Sequence, residues 1–134
     1  MAPVTYPRPE EQAIANSMHS EPLLGTWLNT NMATRGVASA VLSRKGEQIV
    51  VRIIAAGDPE PSDWGEAMAS LFAADAASSE AMAFSAFYDF DFMETQLQAH
   101  VRQGVLIIAK FDRFKDNSGR SNYFSKEFFY RAEQ

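Results

Sequence analysis

From residue 23 onward, short apolar runs alternate with turn-forming residues along the chain. Turn signals recur every ~8–12 residues, a spacing typical of all-β barrels and sandwiches. The strongest strand signal is the segment 47–56, EQIVVRIIAA, which contains five β-branched residues. Because β-branched side chains favour a pleated backbone and prolines cannot continue a strand ladder, this segment predicts a strand that ends at GDPEPSD.

About eight strands are predicted in all. We interpret 64–73 as a strand, although Trp64, Met68 and Phe72 recur at helical spacing and leave a helix over 64–79 open. The segment that follows alternates apolar and polar residues with a period of two, which only a strand turns into a single face. The predicted strands cover residues 24–32, 36–44, 47–56, 64–73, 80–91, 94–103, 105–114 and 121–131.

These strands are joined mostly by short hairpin-type connections. Eight antiparallel strands can close into a barrel just wide enough for side chains or one small ligand. The sequence therefore predicts an all-β fold, an eight-stranded antiparallel up-and-down β-barrel. It would form a single domain over residues 22–134, preceded by an irregular or partly helical tail over residues 1–21.

Composition and charge narrow the class of partner. The chain has 134 residues, 46% of them hydrophobic, and a net charge of -5, which argues against nucleic acid or an anionic membrane as the main partner. It has no cysteine and two histidines, so we expect neither a metal nor another cofactor. No apolar run approaches the ~20 residues that span a membrane, and the N-terminus lacks the apolar core of a secretory signal, so we expect a cytoplasmic protein.

The segment GTWLN, from Gly25 to Asn29, opens the first predicted strand. It resembles the opening of calycin barrels, the group that contains avidin, streptavidin and the lipocalins. In lipocalins the Gly-x-Trp motif lies at the closed end of the barrel and an arginine of the last strand packs across the indole. The resemblance implies a structural plug formed by Trp27 and Arg131. An arginine over a tryptophan face contributes about 0.5–2 kcal/mol.

The avidin branch of this resemblance implies a ligand contact at Asn29, since the asparagine of GTWxN contacts the ligand there. The rest of the avidin pattern is missing. Avidins line their biotin site with several tryptophans, and the only other tryptophan here is Trp64. Position 33 is an alanine, where avidins carry a hydroxyl or a similar ligand contact. We therefore do not expect biotin as the ligand.

Strand alternation predicts which other residues line the barrel interior. If Arg131 points inward, then Glu127 and Tyr123 do so as well, because alternate residues of a strand share a face. A mostly apolar cavity with a few placed polar groups is the usual form of a small-molecule site. In the alternative, Arg52 and Glu127 face solvent and the barrel is simply filled. The predicted ligand-binding residues are Asn29, Arg52, Phe84, Tyr88, Tyr123 and Glu127.

The second half of the chain is dense in aromatic residues, in FSAFYDFDF, KFDRF and YFSKEFFYR. Bulky apolar groups fall on both faces of these strands, whereas an isolated barrel buries one face and leaves the other wet. A second apolar face predicts a homo-oligomer, a dimer or a tetramer. The alternative is that the N-terminal tail covers this face.

Together these patterns favour a non-enzymatic binding barrel for a small hydrophobic or amphipathic ligand, such as a lipid or an isoprenoid-like molecule. One alternative is a small barrel enzyme of the cyclase or isomerase type. Another is an oligomeric interaction module with a filled barrel. No residue is assigned a catalytic role: we interpret Asp89 and Asp91 as a solvated pair and His100 as a surface or structural residue.

Overall fold

The computed structural model describes residues 18–57 and 59–132, and these form one antiparallel sheet that curls into a nearly closed barrel. The predicted all-β, antiparallel barrel is confirmed, with nine strands in place of eight. The strands are β1 (Gly25–Asn29), β2 (Val37–Lys45), β3 (Gln48–Ala55), β4 (Ser62–Met68), β5 (Ser70–Ala73), β6 (Ala81–Asp89), β7 (Met93–Arg102), β8 (Val105–Phe114) and β9 (Tyr123–Arg131).

Most of the predicted tail, residues 1–17, lies outside the described residues. Its last residues lie against the barrel. The backbone of His19 donates to the carbonyl of Ser79 at 2.9 Å and accepts from the N–H of Ala81 at 2.8 Å. This pairing is parallel and joins the segment before β1 to the start of β6.

The order of the strands brings the two edges of the sheet together. Hydrogen-bonded neighbours follow the order β4-β3-β2-β1-β9-β8-β7-β6-β5, so β4 and β5 are the edge strands. These two strands are consecutive in sequence, and only Ala69 separates them. The Ala69 N–H donates to the carbonyl of Ile49 in β3 at 2.9 Å. Two edges joined by a single residue must meet, and the sheet can do this only by curling into a barrel.

The ninth strand arises because the strand predicted over 64–73 changes partner at Ala69. Before this residue, Met68 lies opposite Val50 of β3; after it, Ser70 lies opposite Ser85 of β6. The helix left open over 64–79 does not form. The backbone stays extended, and a change of partner leaves no mark on local periodicity, so the sequence pattern showed one strand where the structure has two.

Three aromatic side chains bridge the seam between β4 and β6. The Trp64 ring lies 5.3 Å from the Tyr88 ring and 5.0 Å from the Phe90 ring, both edge to face. The Tyr88 hydroxyl donates toward the carbonyl oxygens of Gly65 at 2.8 Å and Val51 at 3.0 Å. Burial raises the pKa of Tyr88 to about 12, so the phenol stays protonated and remains a donor at neutral pH.

At the other side of the barrel, β1 pairs with β9 and places Trp27 opposite Arg131. The predicted contact is present: the Arg131 guanidinium carbon lies 4.6 Å from the centre of the Trp27 ring. Trp27 is 1% exposed, and its indole N–H donates to the carbonyl of Leu23 at 2.9 Å. Arg131 also donates to the carbonyl of Pro22 at 2.6 Å. The pair therefore ties the last strand to the segment that enters the first.

Large apolar side chains from all sides of the sheet meet in the bore. Each of them is almost fully buried, and they belong to a single hydrophobic cluster. Burying an aliphatic or aromatic side chain of this size contributes about 1.5–3 kcal/mol to folding. The largest are Leu23, Trp27, Leu42, Ile53, Phe84, Leu97, Leu106, Ile108 and Phe129.

Replacing Trp27 with alanine tests how much this end of the core contributes. We expect the free energy of unfolding to fall by about 3–5 kcal/mol, because the variant loses the buried indole and leaves a cavity. Urea unfolding followed by circular dichroism measures the change. Phe124→Ala, at a side chain that is 63% exposed, is the control and should change stability by less than about 1 kcal/mol. Equal effects in both variants would contradict the assignment of Trp27 to the core.

Candidate functional site

The structure places five of the six predicted ligand-binding residues on the inner face of the barrel. Phe84 lies in the core, and Asn29 and Tyr88 are each 6% exposed. Glu127 is half-buried, and Tyr123 lies at the rim, where it is 49% exposed. The alternation predicted from Arg131 for the last strand therefore describes β9 correctly.

Arg52 is the exception, and its predicted inward orientation is wrong. The interior positions of β3 are Val51 and Ile53, both fully buried, so Arg52 between them points outward. There it is paired with Asp63 of β4, and both side chains are largely exposed. Hydrogen bonding to Arg52 holds the pKa of Asp63 below its usual value. The error arose because every residue near Arg52 is apolar, so periodicity did not identify the buried face.

Asn29 and Glu127 form a cluster that also includes Thr34 and Val37, named here the Glu127 clasp. The Asn29 amide donates to Glu127 Oε2 at 2.6 Å and to the Val37 carbonyl at 2.8 Å. Glu127 also accepts from the Thr34 hydroxyl and from the Val37 N–H, the latter at 3.2 Å. A Cβ at Gly36 would collide with Glu127 Oε1, so the carboxylate and the glycine backbone fit closely. The clasp holds the loop between β1 and β2 against β9.

A second polar cluster lies inside the barrel and was not predicted. Lys110 is paired with Asp112, which also accepts from the Thr95 hydroxyl, and all three side chains are buried. The Lys110 ammonium lies 5.0 Å from the centre of the Tyr123 ring. The alternation in VLIIAKFDRF contained the signal, because a strand that buries Leu106 and Ile108 places residues 110 and 112 on the same face.

Both interior clusters are satisfied by protein partners. Across the described ranges, every buried side-chain nitrogen or oxygen has a hydrogen-bond partner. A buried polar group without a partner costs about 1–3 kcal/mol, and a waiting ligand site often leaves such groups unpaired. Asn29, Tyr88 and Glu127 therefore act within the structure as it stands, and their geometry does not require a ligand.

A concavity of about 590 Å³ lies on the outer wall of the barrel, across β6, β7, β8 and β9, and is named here the outer groove. Its shape follows from the strand register. One row of directly paired residues crosses the four strands and consists of Ser85, Gln98, Ala109 and Lys126. Its residues on β6 and β8, Ser85 and Ala109, have small side chains. The rows on either side carry bulky groups: Phe87, Phe111 and Phe124 on one, Phe72, Ile107 and Phe128 on the other. Small residues between two bulky rows produce a trough.

Polar groups converge on this trough from three strands. Gln96, Gln98 and His100 occupy alternate positions of β7 and point outward, while Thr95, Leu97 and Ala99 between them are buried. Ser85 and Lys126 complete the polar lining, which contains no acidic residue among those that the structure describes. The interpretation of His100 as a surface residue agrees with its exposure, but the sequence did not indicate its neighbours. Their juxtaposition depends on the register of four strands, which periodicity does not specify.

No family model matches the chain, and no curated protein or solved structure matches it significantly. The nearly closed antiparallel barrel is consistent with a calycin-like architecture. Within residues 18–57 and 59–132, no group of three or more His, Cys, Asp or Glu side chains could hold a metal ion. The described part of the chain also has no helix of the length and apolarity that would cross a membrane.

Glu127→Gln tests the clasp. In glutamine an NH2 group replaces one carboxylate oxygen. This group is itself a hydrogen-bond donor and would face the donors of the clasp, so we expect a loss of about 1–3 kcal/mol in the free energy of unfolding. Urea denaturation measures it. Glu66→Gln removes an exposed partner of Lys45 and should change stability by no more than about 0.5 kcal/mol. A neutral result at both positions would mean that Glu127 does not anchor the loop.

Proposed function

We propose that the protein is a non-enzymatic binding barrel for a small amphipathic ligand, and that the outer groove is its binding site. The groove carries the proposal. Its volume of about 590 Å³ falls within the range of about 300–1,000 Å³ that is common for small-molecule sites. Its lining combines apolar side chains with a few polar ones, which is how such sites select and orient a ligand. The resemblance of GTWLN to the opening of calycin barrels supports the barrel architecture, whereas the groove supports the binding function.

The dimensions of the groove favour a compact ligand. Neighbouring strands lie about 4.8 Å apart, so the four strands from β6 to β9 span about 14 Å between the outer two. Apolar groups on the floor and banks, among them Phe72, Ile107 and Ala109, suit a body of one or two rings or a short isoprenoid-like chain. The interior, by contrast, is occupied by core side chains and two satisfied polar clusters.

Binding is favoured over catalysis by the placement of the carboxylates that the sequence offered. Asp89 lies on the surface with Lys115 2.8 Å from its oxygen, and this hydrogen bond lowers the pKa of Asp89. A carboxylate held ionised in this way is a weak proton acceptor and suits an ion pair better than acid-base chemistry. Asp91 is exposed beside it.

Filling the groove tests its role. Ala109→Trp places a bulky side chain in the trough, and we expect it to weaken binding of the neutral probe N-phenylnaphthylamine at least about tenfold, since the probe and the indole would occupy the same space. Probe fluorescence during titration measures affinity. Ser43→Trp, on an exposed residue of β2, is the matched control and should leave affinity unchanged. Equal affinity in all three proteins would refute the groove as the site.

A second candidate function is self-association through the outer aromatic face, defined by Phe111, Phe124, Phe128 and Tyr130 on β8 and β9. These side chains are 41%, 63%, 45% and 48% exposed, and the Phe111 and Phe124 rings stack at 5.8 Å. Taking about 200 Å² for each ring residue, the face exposes about 400 Å² of mostly apolar surface, half of the ~800 Å² per partner in a standard interface.

Charge favours a second copy of the chain as the occupant of this face. The protein carries a net charge of -5, so most approaches of two copies are repulsive. The four residues that define the aromatic face are uncharged, and the charged residue between Phe124 and Phe128 on this face of β9 is a cation, Lys126, so two copies can pack there without bringing like negative charges together. A twofold arrangement would let the same strands pair face to face in both copies.

The oligomeric state tests this second function. We expect sedimentation velocity at tens of micromolar protein to show a dimer or a tetramer, and Phe124→Ser combined with Phe128→Ser to shift it to monomer by removing apolar contact area. Met68→Ser, at a residue of β4 that is 62% exposed, should leave the distribution unchanged. A strictly monomeric unsubstituted protein would exclude self-association.

A further inference from the structure

We infer that the ligand of the outer groove is an organic anion, an apolar body that carries a carboxylate or sulfonate group. This inference rests on the proposed function of the groove and specifies the chemistry of its ligand. The composition of the polar lining supports an anionic ligand. The lining consists of Ser85, Gln96, Gln98, His100 and Lys126. Every one of these side chains can donate a hydrogen bond, and none is acidic.

Lys126 is the cation of the site, and it differs from the other lysines of the chain. The sequence has four lysines. In the described ranges, Lys45 pairs with Glu66, Lys110 with Asp112, and Lys115 with Asp89, each at hydrogen-bond distance. Lys126 has no carboxylate within 4.0 Å among the described residues. An ammonium that is left unpaired at one end of a groove attracts an anion.

The register sets how the anion would meet these donors. Lys126 and Gln98 lie in the same row, with Ala109 between them. Gln96 and His100 are two residues away from Gln98 on the same face of β7, so their side chains flank it. An acidic group near Lys126 can accept from the ammonium and from the neighbouring amide donors. The apolar body then lies over Ala109 on the floor of the groove and beside Ile107 on its bank.

A flat, neutral ligand would use the floor and leave the ammonium in water. Such a ligand fits the proposed function and contradicts this inference, so the two are separable. The discriminating comparison is between two probes with the same aromatic body, the anion anilinonaphthalene sulfonate and the neutral N-phenylnaphthylamine. Any difference in their affinities reports on charge recognition, because both have the same rings.

Titrations of the full chain with both probes test the inference. We expect the sulfonate to bind about tenfold more tightly than the neutral probe at about 0.02 M salt, and to lose most of this advantage at about 0.5 M salt, where exposed charges are screened. Lys126→Gln should abolish the preference, because the amide that replaces the ammonium carries no charge. Arg113→Gln, which removes an exposed cation of β8 outside the groove, should retain it.

Two outcomes would overturn the inference. Equal affinity of both probes for the unsubstituted protein would mean that the groove does not recognise charge, while the proposed binding function would stand. A preference that survives in Lys126→Gln would place the anion elsewhere. If Ala109→Trp leaves both probes bound, the proposed function itself fails.

Discussion

The barrel depends on one covalent constraint, the single-residue junction between its two edge strands. Because only Ala69 separates β4 from β5, the edges of a nine-stranded sheet are held within one residue of each other. On either side of Ala69, backbone hydrogen bonds pair β4 with β3 and β5 with β6. The side chains of Tyr88, Trp64 and Phe90 fill the gap that remains between β4 and β6. Closure then decides which face of every strand is inside. The buried cluster, the two interior polar networks and the outer groove all follow from that decision.

The polar groups inside the barrel and those on its outer wall differ in their partners. Charged and amide groups in the bore are paired with one another, as in Lys110 with Asp112 and Asn29 with Glu127, so the buried polar groups of the described residues have protein partners. On the outer wall, polar groups from neighbouring strands stand in a trough beside exposed rings. The outer wall therefore carries both the groove and the apolar face, whereas the bore is filled by the side chains of the core.

The alternation of apolar and polar residues and the GTW motif predicted much of the fold, and the predictions failed at identifiable residues. Alternation identified the inner face of β9, and the GTW motif with a distant arginine anticipated the contact of Arg131 with Trp27, more than a hundred residues apart. It failed where both neighbours of a residue are apolar, as at Arg52, and where a strand changes partner without changing conformation, as at Ala69. The groove could not be predicted either. Its polar lining comes from β6, β7 and β9, and only the relative register of those strands brings Ser85, Gln98 and Lys126 into one row.

The pairing of β1 with β9 also has a consequence for how the molecule is made. The partner of β1 at this edge, β9, is synthesised about a hundred residues later. Until Arg131 has emerged from the ribosome, the indole of Trp27 lacks the guanidinium that covers it. Closing so long a loop is entropically costly and slow compared with the hairpins between β6 and β8. During synthesis the nascent chain therefore carries an open edge at β1, where chaperones or other nascent chains can pair. The barrel can therefore close only after β9 has been synthesised and has left the ribosome.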